Sequence, residues 1–123
     1  MSLVGTDFSD PALLDRLEAA SPPELDSLGF GVIRMDPTGS VTAYNRYEAQ
    51  SAGLSPERVI GRHFFTEVGP CTLNAQISQP MLQETQLDTE FDYVFAFRMK
   101  ITPVRLRLLK SPSSAHMYLL VKR

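Results

Sequence analysis

The chain has 123 residues, 43% of them hydrophobic and 21% charged, a composition that fits one folded domain and excludes disordered and fibrous classes. Its formal net charge is −2, and its basic residues are scattered apart from a Lys/Arg alternation between Arg98 and Lys110, so no phosphate-neutralising face for nucleic acid is expected. One cysteine excludes an internal disulfide, the amino end lacks a basic and then apolar leader, and no run approaches the roughly 18 apolar residues of a membrane span, which together predict a cytoplasmic protein.

The first elements read as helical. Asp10 before Pro11 predicts an N-cap with proline at the first helical position, and Leu13, Leu14 and Leu17 recur at helical spacing through "PALLDRLEAA". Ser21 and Glu24 have capping-box spacing in "SPPELDSL", a second short helix that Gly29 would end. From Phe30 the period becomes extended: "FGVIRMD" and "VTAYN", joined by "PTGS", predict a hairpin. Asn45 can cap a helix through "RYEAQSA" stopped by Gly53, and Ser55-Pro56 opens another through "ERVI" stopped by Gly61. "GRHFFTEVGPCT" has no clear period, while "NAQISQPMLQETQ" looks helical with a disturbance at Pro80.

The strongest pattern is "EFDYVFAFRMK". Phe91, Tyr93, Phe95, Phe97 and Met99 share one parity and Asp92, Arg98 and Lys100 the other, which predicts a strand with one aromatic, buried face. After an "ITP" turn, "VRLRLLK" alternates Val104, Leu106 and Leu108 with Arg105 and Arg107, and "HMYLLVK" closes the chain as a last strand. The expectation is an α+β fold: a five-stranded antiparallel sheet whose apolar face is covered by the short central helices, with a pocket between them. Residues 1–29 would form an N-terminal helical cap and 30–123 the core of a single domain.

Five stretches, "LGFGVIRMD", "YNRYE", "VIGRHFFTEVGPCT", "FDYVFAFRM" and the closing "VKR", resemble the photoactive yellow protein family, blue-light receptors of the PAS superfamily. The resemblance covers nearly the whole chain. It implies a PAS-like fold and a covalent cofactor, 4-hydroxycinnamic acid (p-coumaric acid), held as a thioester. Carried over by residue, Cys71 matches the attachment cysteine, and Tyr44 and Glu48 match the pair that hydrogen-bonds the phenolate oxygen. Tyr93, Phe95 and Met99 match pocket-lining positions, and Phe64, Val68, Pro70 and Thr72 match the loop around the thioester. Two positions depart from the family pattern: Ala52 stands where a threonine commonly supports the tyrosine, and Leu54 where an arginine usually lids the pocket.

The chemistry that these residues would perform is physically coherent. A phenolate in an apolar pocket needs donors, because an isolated buried charge costs many kcal/mol and would take up a proton. Tyr44 offers one O–H, and Glu48 offers another if burial keeps it protonated. Light-driven trans-to-cis isomerisation followed by proton transfer from Glu48 would leave a buried carboxylate, and the strain would pass to the cap helices before Phe30. Pro70 fixes its own φ and restricts Gly69, which gives Cys71 a defined exit direction.

Other classes remain open at the level of sequence. An unpigmented PAS-type module for ligand binding or dimerisation would keep the fold without the photochemistry. A flavin-binding PAS domain would carry its cysteine in an Asn-Cys-Arg context, for which "GRHFF" is no match, and haem would need an axial ligand, for which only His63 is nominally placed. An enzyme with Cys71 as nucleophile would need a histidine base, and neither His63 nor His116 stands at suitable spacing; no metal site and no enzymatic activity are expected. The expected partner is the small-molecule chromophore, together with an unidentified downstream signalling protein, and the chain is expected to be a monomer or weak dimer without nucleic-acid or membrane contacts.

Overall fold

A run of apolar residues with no polar interruption, Met117 to Val121, sets the centre of the molecule: all five are buried, which requires cover on both faces of the sheet. In the computed structural model, which describes residues 3–97 and 100–123, five antiparallel strands lie in the order β2-β1-β5-β4-β3. They are β1 (Gly31–Met35), β2 (Val41–Tyr44), β3 (Leu87–Phe97), β4 (Lys100–Lys110) and β5 (Met117–Lys122). The sequential pairs β1–β2, β3–β4 and β4–β5 are antiparallel, while β2 and β3 lie at opposite edges. The long-range pairing is β1 against β5, from Gly31↔Val121 to Met35↔Met117.

Among the described residues five helices accompany the sheet: α1 (Leu13–Ala19), α2 (Pro22–Asp26), α3 (Arg46–Ala52), α4 (Pro56–Val59) and α5 (Ser78–Gln83). Between α4 and α5 the chain makes a π-helical turn, Phe64–Val68, and a 3-10 turn, Pro70–Thr72. The α+β class and the five-stranded antiparallel sheet expected from periodicity are both present.

Two apolar clusters sandwich the sheet. Ile33, Met35, Leu106, Leu108, Leu119 and Val121 face α3 to α5 and the two turns, together with Phe64, Phe65, Ile77, Met81 and Phe95. Val32, Leu109, Tyr118 and Leu120 face the amino-terminal segment, where they meet Phe8, Leu13, Leu17, Leu25 and Leu28. Each fully buried aliphatic side chain contributes about 1.5–3 kcal/mol relative to exposure. The helical cap is therefore packed on one face of the sheet and the central helices on the other.

Several boundaries differ from the expectation. The first helix starts at Leu13 rather than Pro11, because Asp10 Oδ1 accepts the Ala12 N–H at 2.8 Å and Leu13 N–H bonds Asp10 O, making a turn first. The second helix stops at Asp26, three residues before Gly29, with Ser27 Oγ donating to Glu24 O at 2.6 Å. "ITP" is not a turn: β4 begins at Lys100, and Pro103 sits opposite Val94, beyond the last β4–β5 partner Arg105↔Lys122, where no bond to β5 is lost. The helix around Pro80 is only Ser78–Gln83. Asn74 Oδ1 draws in the N–H groups of Gln76 and Ile77 as an Asx turn, and the Pro80 ring would clash with the carbonyl four residues back, so helix cannot extend that way.

Along β3 the expected alternation holds where side chains are described: Phe91 and Tyr93 are half-buried and Phe95 buried, against exposed Asp92, Val94 and Ala96. Arg98 and Met99 lie outside the described residues. Arg107, expected on the polar parity, is buried on the cap face. It donates to Phe8 O and Asp10 O at 2.9 and 2.8 Å and pairs with Asp88.

Candidate functional site

Local sequence places the first two residues. Tyr44 ends β2 opposite Ile33, and the next residue, Asn45, turns the chain into α3. Asn45 is buried, and its side chain uses its full bonding capacity. Oδ1 accepts from Val32 N–H at 2.9 Å and Glu48 N–H at 3.2 Å, and Nδ2 donates to Leu25 O and Phe30 O at 2.9 and 3.0 Å. This cap fixes where α3 begins. Glu48, in the first turn, is thereby directed into the core with 1% of its surface exposed.

Gly31 on β1 makes that burial sterically possible. A Cβ at this position would collide with Glu48 Oε1 and crowd its Cβ and Cδ, so only glycine leaves space for the carboxylate. The carboxylate is also charge-matched: Arg123 Nη1 donates to Oε1 at 2.6 Å and Nη2 to Oε2 at 3.2 Å, a two-pronged ion pair. The guanidinium carbon lies 5.8 Å from the Phe95 ring centroid, and Arg123 N–H donates to Tyr47 Oη at 3.2 Å.

A cavity of about 480 Å³ opens beside these groups. Tyr44, Glu48, Ala52, Leu54, Phe64 and Val68 line it, with the exposed Arg58, Arg62 and Glu67 nearer solvent. Its size lies in the range of small-molecule sites, and its wall is largely apolar with a few polar groups, as such sites require.

Cys71 occupies the 3-10 turn and is half-buried against the same apolar cluster that Leu54 and Val68 join, but it is not part of the cavity lining. Its turn is firmly held. The Cys71 carbonyl accepts from Tyr93 Oη at 2.9 Å and Asn74 Nδ2 at 3.1 Å, and Asn74 Nδ2 also donates to Tyr93 Oη at 2.8 Å. Buried Thr72 donates from Oγ1 to Gly69 O at 2.6 Å, and Gly69 N–H closes the π-turn on Phe64 O at 2.7 Å. Rare π-helical turns occur frequently at functional positions.

The fold thus gathers six of the expected site residues on one cavity: Tyr44, Glu48, Ala52, Leu54, Phe64 and Val68. Cys71, Tyr93 and Thr72 form the adjacent braced turn, Pro70 is exposed, and Phe95 packs under Arg123. Met99 lies outside the described residues. The histidines are structural: His63 Nε2 is 3.0 Å from Thr38 O and Nδ1 3.1 Å from Thr66 Oγ1, and His116 pairs with Glu18.

Arg123, Asn74 and Gly31 escaped the sequence reading. Asn74 carried a local signal, an Asx-turn residue three positions past the cysteine. Arg123 stood in the closing "VKR", but nothing there marked it as a partner of Glu48, 75 residues away.

Comparison with known proteins bears on this arrangement. A family model described as PAS fold matches residues 25–98. The photoactive yellow protein of Rhodothalassium salexigens is 32% identical over 122 residues, covering 97% of this chain and 94% of the relative. That of Cereibacter sphaeroides is 34% identical over 113 residues, covering 89% and 91%. Among solved structures, the photoactive yellow protein domain from the sensor histidine kinase Ppr of Rhodospirillum centenum superposes with a TM-score of 0.82 at 34% identity, covering 89% of this chain and 99% of that one.

Proposed function

We propose that this chain, which belongs to the photoactive yellow protein family of the PAS superfamily, is a non-enzymatic blue-light receptor carrying 4-hydroxycinnamic acid as a thioester on Cys71. The observation that carries the reading is the buried Glu48 carboxyl beside Tyr44 on an apolar cavity of about 480 Å³, next to the braced turn that holds the lone cysteine.

The residues suit such a group when Glu48, ion-paired with Arg123 in this structure, carries a proton. Bound there, it would supply a phenolate that absorbs blue light and a double bond that isomerises from trans to cis. Tyr44 and Glu48 would serve as its two hydrogen-bond donors, Glu48 holding the proton that it later gives up. Phe64, Val68 and Leu54 would exclude water, and the Pro70–Thr72 turn, pinned through Tyr93 and Asn74, would hold the sulfur in a fixed direction. Attachment would use an activated acyl donor: the Cys71 sulfur forms the new C–S bond while the leaving group departs with its electron pair and the thiol proton.

Met99, Phe95 and Thr72 belong to the same proposed set around the chromophore. The division between a cap (1–29) and a core (30–123) belongs to the reading too, with the cap as the segment that loosens after Glu48 loses its proton. The receptor would act in the cytoplasm as a monomer or weak dimer on a downstream protein. Among the described residues no helix is long and apolar enough to cross a membrane.

The test is direct. Protein incubated with the anhydride of p-coumaric acid should turn yellow and gain one acyl mass on Cys71, while Cys71→Ala should do neither. Absence of any adduct on Cys71 in correctly folded protein would sink the proposal. It would favour a second reading, a PAS module for a non-covalent ligand, which draws support from Ala52 and Leu54 lining the cavity while Cys71 does not.

A further inference from the structure

Glu48 and Arg123 raise a question that the photoreceptor reading does not answer. A carboxylate held at both oxygens by a guanidinium is poorly suited to be a proton donor, yet the side chain is nearly inaccessible to water, with 2% of it exposed against 18% for Arg123. The pair must therefore be understood as one state of the site. Burial of a lone carboxylate would be prohibitive, and a partner that satisfies both oxygens is what makes the charged form tolerable.

The geometry of the arginine suits a permanent counter-ion. Its backbone N–H is tied to Tyr47 Oη and its guanidinium to Glu48, so both of its ends are fixed to neighbouring residues of α3. Its charge also rests 5.8 Å from the Phe95 ring. Glu48 lines the cavity and Arg123 does not, so the guanidinium reaches the carboxylate without taking up the volume that a guest would need.

Resting on the photoreceptor reading, we propose that Arg123 is the positioning residue of this site: a fixed counter-ion that receives the Glu48 carboxylate whenever Glu48 lacks its proton. With Glu48 ionised, the pair is neutral. With Glu48 protonated, Arg123 leaves the site one positive charge in excess, which favours an anionic guest beside Glu48. With a guest that is anionic while Glu48 is protonated and neutral once it has taken that proton, the site keeps its charge balance in both states, and the only thing exchanged is the proton of the Glu48 carboxyl. The carboxylate left by proton loss therefore has a partner already in place. That pairing prolongs the light-induced state.

Infrared difference spectroscopy on the unpigmented protein tests the pairing without reference to light. The wild-type spectrum minus that of Glu48→Gln should contain an ionised-carboxylate band for Glu48. In Arg123→Gln that band should be replaced by a protonated carboxyl C=O stretch, and Arg123→Lys should restore part of it, since an ammonium supplies the charge without the fork. Arg123 lies beyond the last β5 residue, so the strand ladder is intact in these variants. An unchanged carboxylate band in Arg123→Gln overturns the proposal.

In pigmented protein, the light-induced state of Arg123→Gln should decay about tenfold faster, as loss of a charge-assisted hydrogen bond would produce. An unchanged lifetime also overturns the proposal. If Cys71 accepts no pigment, the photoreceptor reading falls, but the spectra of the unpigmented protein still decide for or against Arg123.

Discussion

The two faces of the sheet use polar groups for different ends. On the cap face they act as latches between distant segments. Glu18 of α1 accepts from Tyr118 Oη at 2.5 Å and from Ala115 N–H at 2.8 Å and meets His116 Nδ1 at 2.9 Å, while Arg107 ties the carbonyls of Phe8 and Asp10 to β4. On the pocket face the ion pair Glu48–Arg123 borders a cavity, and the other bonds brace the turn of Cys71. One face uses polar bonds to hold a cover down. The other sets a buried charge beside space for a guest. Asn45 joins them, because the side chain that starts α3 under Glu48 also holds the carbonyl of Leu25 in α2.

The largest effect should come from Leu17, fully buried between α1 and the sheet. Leu17→Ala should cost about 2–5 kcal/mol, the usual range for emptying a buried leucine site, in urea unfolding. A cost below about 1 kcal/mol would mean that the cap is a loose attachment rather than half of the core, and the contrast between the faces would break there.

Asn45→Ala removes a helix cap and leaves buried N–H and C=O groups without partners, so a loss of about 2–3 kcal/mol is expected. Hydrogen exchange should quicken in α2 and α3 together. Faster exchange in α3 alone would show that the faces are not coupled through this residue.

Gly31→Ala should cost about 1–3 kcal/mol, because the methyl group must displace the Glu48 carboxylate or the strand. Cap contacts should persist, as read by the nuclear magnetic resonance shifts of Leu13 and Leu17. Their disturbance would argue against separate roles for the faces.

The smallest effect is expected at Glu18, and it depends on pH. Burial pushes its carboxyl upward, but hydrogen bonds from Tyr118, His116 and the Ala115 N–H outweigh this and hold it below its ordinary value. A depressed carboxylate contributes stability above its unfolded range and loses it as pH falls through the folded value. Acidification through and below the ordinary carboxylate range should therefore lower Tm, and Glu18→Gln should flatten part of that decline. An identical slope in the variant would remove Glu18 from the latch. Burial, and then the same carboxylate, hold the Tyr118 hydroxyl well above its ordinary range, so Tyr118 stays protonated and donating at any ordinary pH.

Much of the fold was legible because its signals are local. Phe91, Tyr93 and Phe95 alternate with Asp92, Val94 and Ala96 since strand side chains point alternately to two faces, and β3 runs through them. Asn45 was readable as a cap and Gly53 as a helix stop; Gly53 adopts φ 71°, where glycine has no Cβ penalty. Tyr44 and Glu48 were placed on one site by their match to the family's hydrogen-bonding pair, and both line the cavity. The Pro103 error arose because proline usually breaks a strand, whereas here it lies past the end of the β5 pairing.

Within the sequence alone, then, lay the alternation of the strands, the caps and stops of the helices, and the trio of Tyr44, Glu48 and Cys71. Each depends on residues a few positions apart, or on a resemblance spread along the chain. The tertiary structure decided the strand order, which sets β5 beside β1 and so brings Arg123 to Glu48 across 75 residues. It also decided the burial of Arg107 under the cap and the closure of Tyr93 and Asn74 on the Cys71 carbonyl. Pairing between distant strands leaves no period in the sequence, and a charge becomes a counter-ion only when the fold removes the water around its partner.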